Sequence, residues 1–233
     1  MRPDPDADDF LEKKKKTIKN DYTHISVILD RTGSMEEIRD DTIGGFNSFL
    51  GEQKALKGKA TLTLVQFNSQ DPYEVVHRFK ALKKVPELTR ESYVPRAATP
   101  LLDALGRGIN DLEKSLADMV KKDRPQKVVF AVVTDGQENA SHEFSKKQVV
   151  KMIREKTEKE EWQFVFLSAD LGAIAEAQEL GIQVSMSMAF VKDAAGAKGA
   201  WDSLSRNTSD FRGGAKPSMA FEEKDRKKGQ GKK

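Results

Sequence analysis

The chain has 233 residues, of which 37% are hydrophobic and 33% are charged, so it contains enough apolar material for one buried core. Lysine and arginine number 40 against 37 for aspartate and glutamate, and the net charge of +3 gives no reason to expect a nucleic-acid partner. The absence of cysteine excludes disulfides and thiolate metal sites. The sequence has neither a signal-peptide core nor an apolar run of membrane-spanning length, and we therefore expect a cytoplasmic protein.

The two ends of the chain are polar and charged. Residues 1–20 carry the lysine run 13–16 and are expected to form a flexible charged arm. Residues 211–233 are rich in glycine and lysine and are expected to form a disordered basic tail. The folded domain would then occupy residues 21–210.

Strand and helix patterns alternate between these ends. Apolar or alternating runs predict strands at 24–30, 60–68, 73–79, 127–133, 163–167 and 182–186. Apolar residues at helical spacing predict helices at 36–53, 101–119, 145–159, 173–180 and 190–205. The strand at 73–79 follows 60–68 closely enough to pair with it as an antiparallel hairpin. The alternation elsewhere predicts an α/β fold with a doubly wound, mostly parallel sheet and helices on both faces.

The segment VILDRTGSM, residues 27–35, combines a buried strand, a tight turn and the start of a helix. The strand ends at Asp30, and two hydroxyls, Thr32 and Ser34, follow at two-residue intervals. α/β proteins keep their sites at the carboxyl edge of the sheet, and these side chains are hard oxygen donors of the kind that Mg²⁺ or Mn²⁺ prefers. The same residues would also suit an ordinary strand end followed by a helix cap.

Two further segments place oxygen atoms at the same edge. Thr99 stands directly before the helix that Pro100 helps to begin. Asp135 follows the most continuous apolar run, 127–133, which has the character of a central parallel strand. The predicted metal ligands are two carboxylates and three hydroxyls: Asp30, Thr32, Ser34, Thr99 and Asp135. With water completing the octahedron, the ion would stay under-neutralised and could accept an acidic ligand from outside.

The three segments resemble the metal-ion-dependent adhesion site (MIDAS) of von Willebrand factor type A (VWA) domains. That site begins with a D-x-S-x-S motif, continues with a separate threonine and ends with an aspartate on a later strand. Here the corresponding segments read DRTGSM from Asp30, TPL from Thr99 and TDG from Thr134. Thr32 replaces the usual serine and keeps the hydroxyl. The resemblance spans roughly residues 22–206 and extends to RDDTIGGFNSFL, TLVQFN and TDGQENAS, which are most similar to stand-alone bacterial and phage VWA proteins.

The resemblance implies a role for each predicted ligand. Thr32 and Ser34 would bind the metal directly, and Thr99 would bind it directly when an acidic ligand is engaged. Asp30 and Asp135 would act through water. The family implies a Mg²⁺- or Mn²⁺-dependent adaptor or scaffold that captures a Glu or Asp carboxylate of a protein partner, and not an enzyme. An AAA+ ATPase is a candidate partner by analogy alone.

Two other functions remain as alternatives. A phosphotransferase or hydrolase of the haloacid-dehalogenase type also begins with an aspartate after the first strand, but it needs a second aspartate where this chain has Thr32. A nucleic-acid-associated role would depend on the lysine-rich ends, which lack interleaved aromatic residues and any recognised binding module. Arg31, in the first motif, could help to receive an anionic ligand or could be an ordinary surface residue.

Overall fold

Six strands form one sheet in the computed structural model, which describes residues 22–231. The strands are β1 Thr23–Asp30, β2 Ala60–Asn68, β3 Asp71–Ala81, β4 Lys127–Thr134, β5 Gln163–Ser168 and β6 Ser187–Ala189. Their order in the sheet is β3-β2-β1-β4-β5-β6. The β2–β3 pair is antiparallel and every other pair is parallel, as the sequence predicts.

Six α-helices accompany the sheet within the described residues. They are α1 Arg39–Ala55, α2 Leu101–Ala117, α3 Lys146–Glu160, α4 Leu171–Glu179, α5 Ala194–Gly213 and α6 Glu223–Gly229. Short 3-10 helices occur at Gly33–Ile38, Leu82–Lys84, Lys121–Asp123 and Val184–Met186. None of the helices in residues 22–231 has the length and apolar character needed to cross a membrane.

The core lies on both faces of the sheet because the central strands are apolar on both faces. On one face, Val27 of β1 belongs to a buried cluster with Phe46 of α1 and Trp201 of α5. On the other face, Phe130 of β4 belongs to a cluster with Leu105 of α2, together with residues of α3 and α4. This three-layer packing buries all of β1 and all of β4 except its first residue, Lys127, so only the strand ends can carry a site.

The first and last strand–helix transitions differ from the prediction at their boundaries. The helix predicted from residue 36 begins as the 3-10 segment Gly33–Ile38 and becomes α-helical at Arg39. The strand predicted at 182–186 is instead a 3-10 turn, and β6 follows it at Ser187–Ala189. Element boundaries depend on hydrogen bonds that a periodic pattern does not specify.

The C-terminal region departs most from the prediction. Helix α5 begins at Ala194 and extends to Gly213, and α6 follows at Glu223–Gly229. Met219 is fully buried and Phe221 is nearly so. The prediction of a disordered tail from residue 211 is therefore wrong for residues 211–231, because these two apolar side chains join a core that the local composition does not reveal. The predicted arm at residues 1–20 and the last two residues lie outside the described residues.

Candidate metal centre

The predicted site lies at the carboxyl ends of β1 and β4, which are direct neighbours in the sheet. Asp30 is the last residue of β1, and Asp135 directly follows the last residue of β4. Parallel pairing brings both strand ends to the same edge, and the turn after β1 carries Thr32 and Ser34 over that edge. The sheet topology therefore brings together residues that are far apart in the sequence.

Three of the predicted donors are connected by hydrogen bonds through Ser34. The hydroxyl oxygens of Thr32 and Ser34 are 3.2 Å apart. Ser34 Oγ donates to Asp135 Oδ1 at 2.6 Å. Ser34 is exposed, whereas Thr32 and Asp135 are buried, so the cluster opens to solvent at Ser34.

Thr99 reaches the same space from a third loop. Its amide donates to the side-chain oxygen of Asn139 at 2.8 Å, and the Asn139 amide donates back to the Thr99 carbonyl at 3.1 Å. A Cβ atom placed on Gly136 would lie 3.7 Å from Thr99 Oγ1 and 3.9 Å from Ser34 Oγ. The Thr99 and Ser34 hydroxyls therefore face the small space above Gly136, next to Asp135.

Asp30 is fully buried and is held by two donors. Its Oδ1 accepts from the Thr32 amide at 2.7 Å, and its Oδ2 accepts from the Thr134 hydroxyl. Burial raises the pKa of Asp30 to about 7, although the hydrogen bonds from Thr134 and Thr32 act in the opposite direction. Because both carboxylate oxygens already have protein donors, this geometry suits a carboxylate that acts on a cation through water.

The donor set fits a hard divalent cation. It consists of two carboxylates and three hydroxyls, with neither sulfur nor imidazole among the predicted ligands. Within residues 22–231, histidine, aspartate and glutamate nowhere form a group of three or more placed to hold a metal ion. Any ion bound here would therefore depend on the hydroxyls of Thr32, Ser34 and Thr99 for part of its coordination.

A lysine that the sequence analysis did not identify lies beside Asp135 in the candidate metal centre. Lys192, between β6 and α5, places its Nζ 2.9 Å from Asp135 Oδ2 and 2.8 Å from Glu37 Oε2. Burial alone would lower the pKa of Lys192, but hydrogen bonds to Glu37 and Asp135 outweigh it and raise the pKa, so the ammonium stays charged. No local pattern around Lys192 signals this approach, since it depends on where β6 ends in the sheet.

Tyr93 also supports the site without having been predicted. This fully buried residue donates its hydroxyl to the Asp30 carbonyl at 2.6 Å. It comes from the polar loop before Thr99, in which it stands as an isolated aromatic residue. An isolated aromatic residue in a polar loop only weakly predicts a buried contact. The structure shows that the contact is with the Asp30 carbonyl.

Arg31 does not face the ligand side of the site. The residue is buried, and its Nη1 lies 3.2 Å from Gln66 Oε1 and pairs with Glu74. These partners belong to β2 and β3. The hypothesis that Arg31 receives an anionic ligand is wrong, because its guanidinium is directed toward the hairpin.

Comparisons with solved structures identify the fold. Manganese-loaded TRAP protein from Plasmodium vivax is similar over 87% of this chain and 75% of that chain, with a TM-score of 0.55 and 13% identity. The pilus adhesin SpaC from Lactobacillus rhamnosus GG is similar over 81% of this chain and 30% of its own, with a TM-score of 0.59 and 12% identity. No protein-family model and no curated protein matches the chain.

Two further similar structures carry the same architecture. One is a von Willebrand factor type A protein from Catenulispora acidiphila, with a TM-score of 0.52, 11% identity and coverage of 81% of this chain and 43% of that one. The other is proximal thread matrix protein 1 from the mussel byssus with a zinc-occupied MIDAS motif, with a TM-score of 0.51, 16% identity and coverage of 83% and 46%. This chain thus spans less than half the length of both.

The chain therefore has the VWA fold, which confirms the fold that the resemblance implies. At these levels of identity the similarity concerns the fold alone. The five residues predicted to hold a metal remain a proposal that rests on the geometry of this chain.

Proposed function

We propose that this domain binds Mg²⁺ or Mn²⁺ through Asp30, Thr32, Ser34, Thr99 and Asp135 and thereby captures a carboxylate of a protein partner. The observation that carries the proposal is the contact of Thr32, Ser34 and Asp135, donors from two different loops, with Thr99 beside them. Structures with the same fold that hold manganese or zinc support a divalent ion at this position. The domain would serve as an adaptor or scaffold and not as a catalyst.

The chain's own residues divide the work of such a site. Thr134 and the Thr32 amide fix the Asp30 carboxylate, and Tyr93 fixes the end of the strand that carries it. Ser34 stands at the exposed side, where an incoming ligand would arrive. When bound, the ion supplies a positive centre with an open coordination position for a hard anionic oxygen. Because the direct donors would be neutral hydroxyls and the two carboxylates would act through water, the charge of the ion would be only partly offset, which favours a carboxylate as that ligand.

The two alternatives fit the structure less well. In a haloacid-dehalogenase-type enzyme the first aspartate must be free to attack, whereas both carboxylate oxygens of Asp30 accept hydrogen bonds from the protein. A nucleic-acid role through the basic end is weakened because lysines of the described C-terminal segment pair with glutamates there: Lys216 and Lys224 with Glu222, and Lys227 with Glu223. Neither observation concerns residues 1–20.

The test is a calorimetric titration with Mn²⁺. We expect saturable binding by the wild type, loss of binding in Asp135→Ala, and clear weakening in Ser34→Ala, because each variant removes an oxygen of the cluster. Ser48→Ala is the matched control, since Ser48 is an exposed hydroxyl in α1 outside the cluster. Equal Mn²⁺ affinity in the wild type and Asp135→Ala would overturn the proposed site.

Ligand capture is tested on the same proteins with acetate as the probe. If the ion has an open position, acetate should change the electron spin resonance spectrum of protein-bound Mn²⁺ in the wild type. EDTA should then release from the wild type any partner found by affinity capture. The control variant Ser48→Ala should capture the same partner as the wild type. Capture that persists unchanged in EDTA would rule out the metal bridge. An AAA+ ATPase as that partner stays a prediction by analogy.

A further inference from the structure

The loop that carries Lys192 is held in place on both sides. The Val191 amide donates to the Gly229 carbonyl of α6 at 2.8 Å. Asp193 caps α5 by accepting from the Gly196 amide at 2.7 Å, and a Cβ on Gly196 would lie 2.2 Å from the Val191 carbonyl oxygen. The backbone on either side of Lys192 is thus fixed, so the fold sets the point from which the Lys192 side chain extends toward Asp135.

The ammonium of Lys192 lies between two carboxylates of different character. Asp135, whose side chain is 0% exposed, offers Oδ2 at 2.9 Å, while its other oxygen accepts from Ser34. Glu37, whose side chain is 75% exposed, offers Oε2 at 2.8 Å. Lys192 therefore supplies a positive charge beside Asp135, whose other oxygen is held by a neutral hydroxyl.

We propose that Lys192 is a built-in counter-cation of the metal centre that competes with the divalent ion for Asp135 and so lowers its affinity. This inference rests on the proposed function. A lysine ammonium and a divalent cation beside the same buried carboxylate repel each other, and the repulsion is only partly screened by water. Without the ion, the same lysine offsets the cost of a buried charge on Asp135.

Glu37 makes the exchange feasible. When a divalent ion takes up the charge of Asp135, Lys192 can stay paired with Glu37, whose exposed side chain is free to turn outward. Binding of the ion thus requires changes in the side chains of Lys192 and Glu37 and leaves the loop backbone in place. At low concentrations of the divalent ion, Lys192 therefore stays paired with Asp135, and the ion replaces it only at higher concentrations.

The test compares Mn²⁺ binding by spin resonance in four full-length proteins: wild type, Lys192→Gln, Lys192→Arg and Lys198→Gln. Lys192→Gln removes the charge, and we expect it to bind Mn²⁺ roughly tenfold more tightly. Lys192→Arg keeps the charge and should bind like the wild type. Lys198→Gln is the matched control, because Lys198 pairs with Asp202 on α5 and does not approach the site.

A second measurement separates competition from a purely structural role. In EDTA, Lys192→Gln should melt at a lower temperature than the wild type, because Asp135 loses its counter-charge. Added Mn²⁺ should then raise its melting temperature by more than that of the wild type. A lower melting temperature combined with unchanged Mn²⁺ affinity would overturn the inference and leave Lys192 a structural residue.

The remaining outcomes are also decisive. Weaker Mn²⁺ binding by Lys192→Gln would overturn the inference, since it would mean that Lys192 positions Asp135 for the ion. Binding by Lys192→Gln where the wild type shows none would support it strongly. Absence of Mn²⁺ binding in all four proteins would overturn the proposed function, and the inference with it. Equal affinity in wild type and Lys192→Gln, lost in Asp135→Ala, would overturn the inference alone.

Discussion

At the scale of single residues, the site is built from buried polar groups that are costly without a cation. Asp30 is fully buried at the end of β1, and the negative charge of nearby Asp135 adds to the burial that raises its pKa. Hydrogen bonds from Thr32 and Thr134 offset part of this cost. The proposed affinity for a cation and the cost of these buried charges in the protein without one would therefore have the same origin.

Asp30→Asn should separate these two effects. The amide removes the buried charge and keeps the shape, so we expect the melting temperature in EDTA to stay equal to or rise above that of the wild type. Mn²⁺ should raise the melting temperature of the wild type and leave that of Asp30→Asn unchanged. Asp40→Asn, at an exposed position paired with Arg90, is the control and should respond to Mn²⁺ as the wild type does. A Mn²⁺ response retained in Asp30→Asn would contradict the role of this carboxylate.

His24 predicts a pH dependence that does not involve the metal. It is fully buried, its Nδ1 lies 2.9 Å from Thr61 Oγ1, and its ring stacks on Phe79 at 3.8 Å. Burial lowers its pKa to about 3 from 6.5, so the unfolded chain binds more protons between these values. Its contribution to the free energy of unfolding is thus complete above pH 6.5 and falls by up to about 1.4 kcal/mol per pH unit as the pH decreases toward 3.

Urea unfolding at several pH values checks this. Between pH 6.5 and pH 4, the wild type should lose more stability than His24→Gln, which has no group to titrate at this position. His142→Gln is the control, because His142 is an exposed loop residue. Parallel stability profiles for wild type and His24→Gln would contradict the assignment.

At the scale of elements, the close approach of α1 and α5 shapes the face of the sheet opposite α2. Gly45 of α1 lies against the Trp201 ring, and a Cβ there would come within 2.1 Å of a ring carbon. Trp201 also packs against Phe46 and Phe49. The neighbouring Gly44 has nothing within 4 Å of its Cβ position. Of these two adjacent glycines, only Gly45 is therefore required by the packing of α1 against α5.

Alanine substitution should reveal the difference. Gly44→Ala should stabilise the protein by about 0.5–1 kcal/mol, because alanine favours the helix and meets no obstacle. Gly45→Ala should destabilise it by about 1–3 kcal/mol, because the large Trp201 ring must move in a packed core. Urea unfolding measures both changes. Equal effects of the two substitutions would contradict the close packing.

The C-terminal helix shows the limit of composition as a guide. Asp225 is fully buried, accepts from the Glu222 amide at 2.7 Å and pairs with Arg206 of α5. A Cβ on Gly199 would lie 2.2 Å from the Lys228 carbonyl oxygen, so α6 packs directly on α5. These contacts fix the segment that in turn holds the Lys192 loop. The candidate metal centre and the C-terminal helix are thereby physically connected through this loop.

At the scale of the whole molecule, the proposed binding face is the carboxyl edge of the sheet. The loops after β1, β4 and β6, together with the loop before α2, all deliver side chains to this edge. The opposite edge, where the parallel strands begin, contributes none of the predicted ligands. A protein partner that binds through the metal should therefore approach from this edge, next to exposed Ser34.

The sequence by itself determined the α/β class, the antiparallel hairpin and the five residues that meet at one edge. It could do so because strand periodicity and the spacing of Asp30, Thr32 and Ser34 are local properties, and parallel strands necessarily end at a common edge. The tertiary structure alone decided the order of the C-terminal segment, the burial of Arg31 and the approach of Lys192 to Asp135. Each depends on contacts between distant parts of the chain, whose free energy no local pattern of residues encodes.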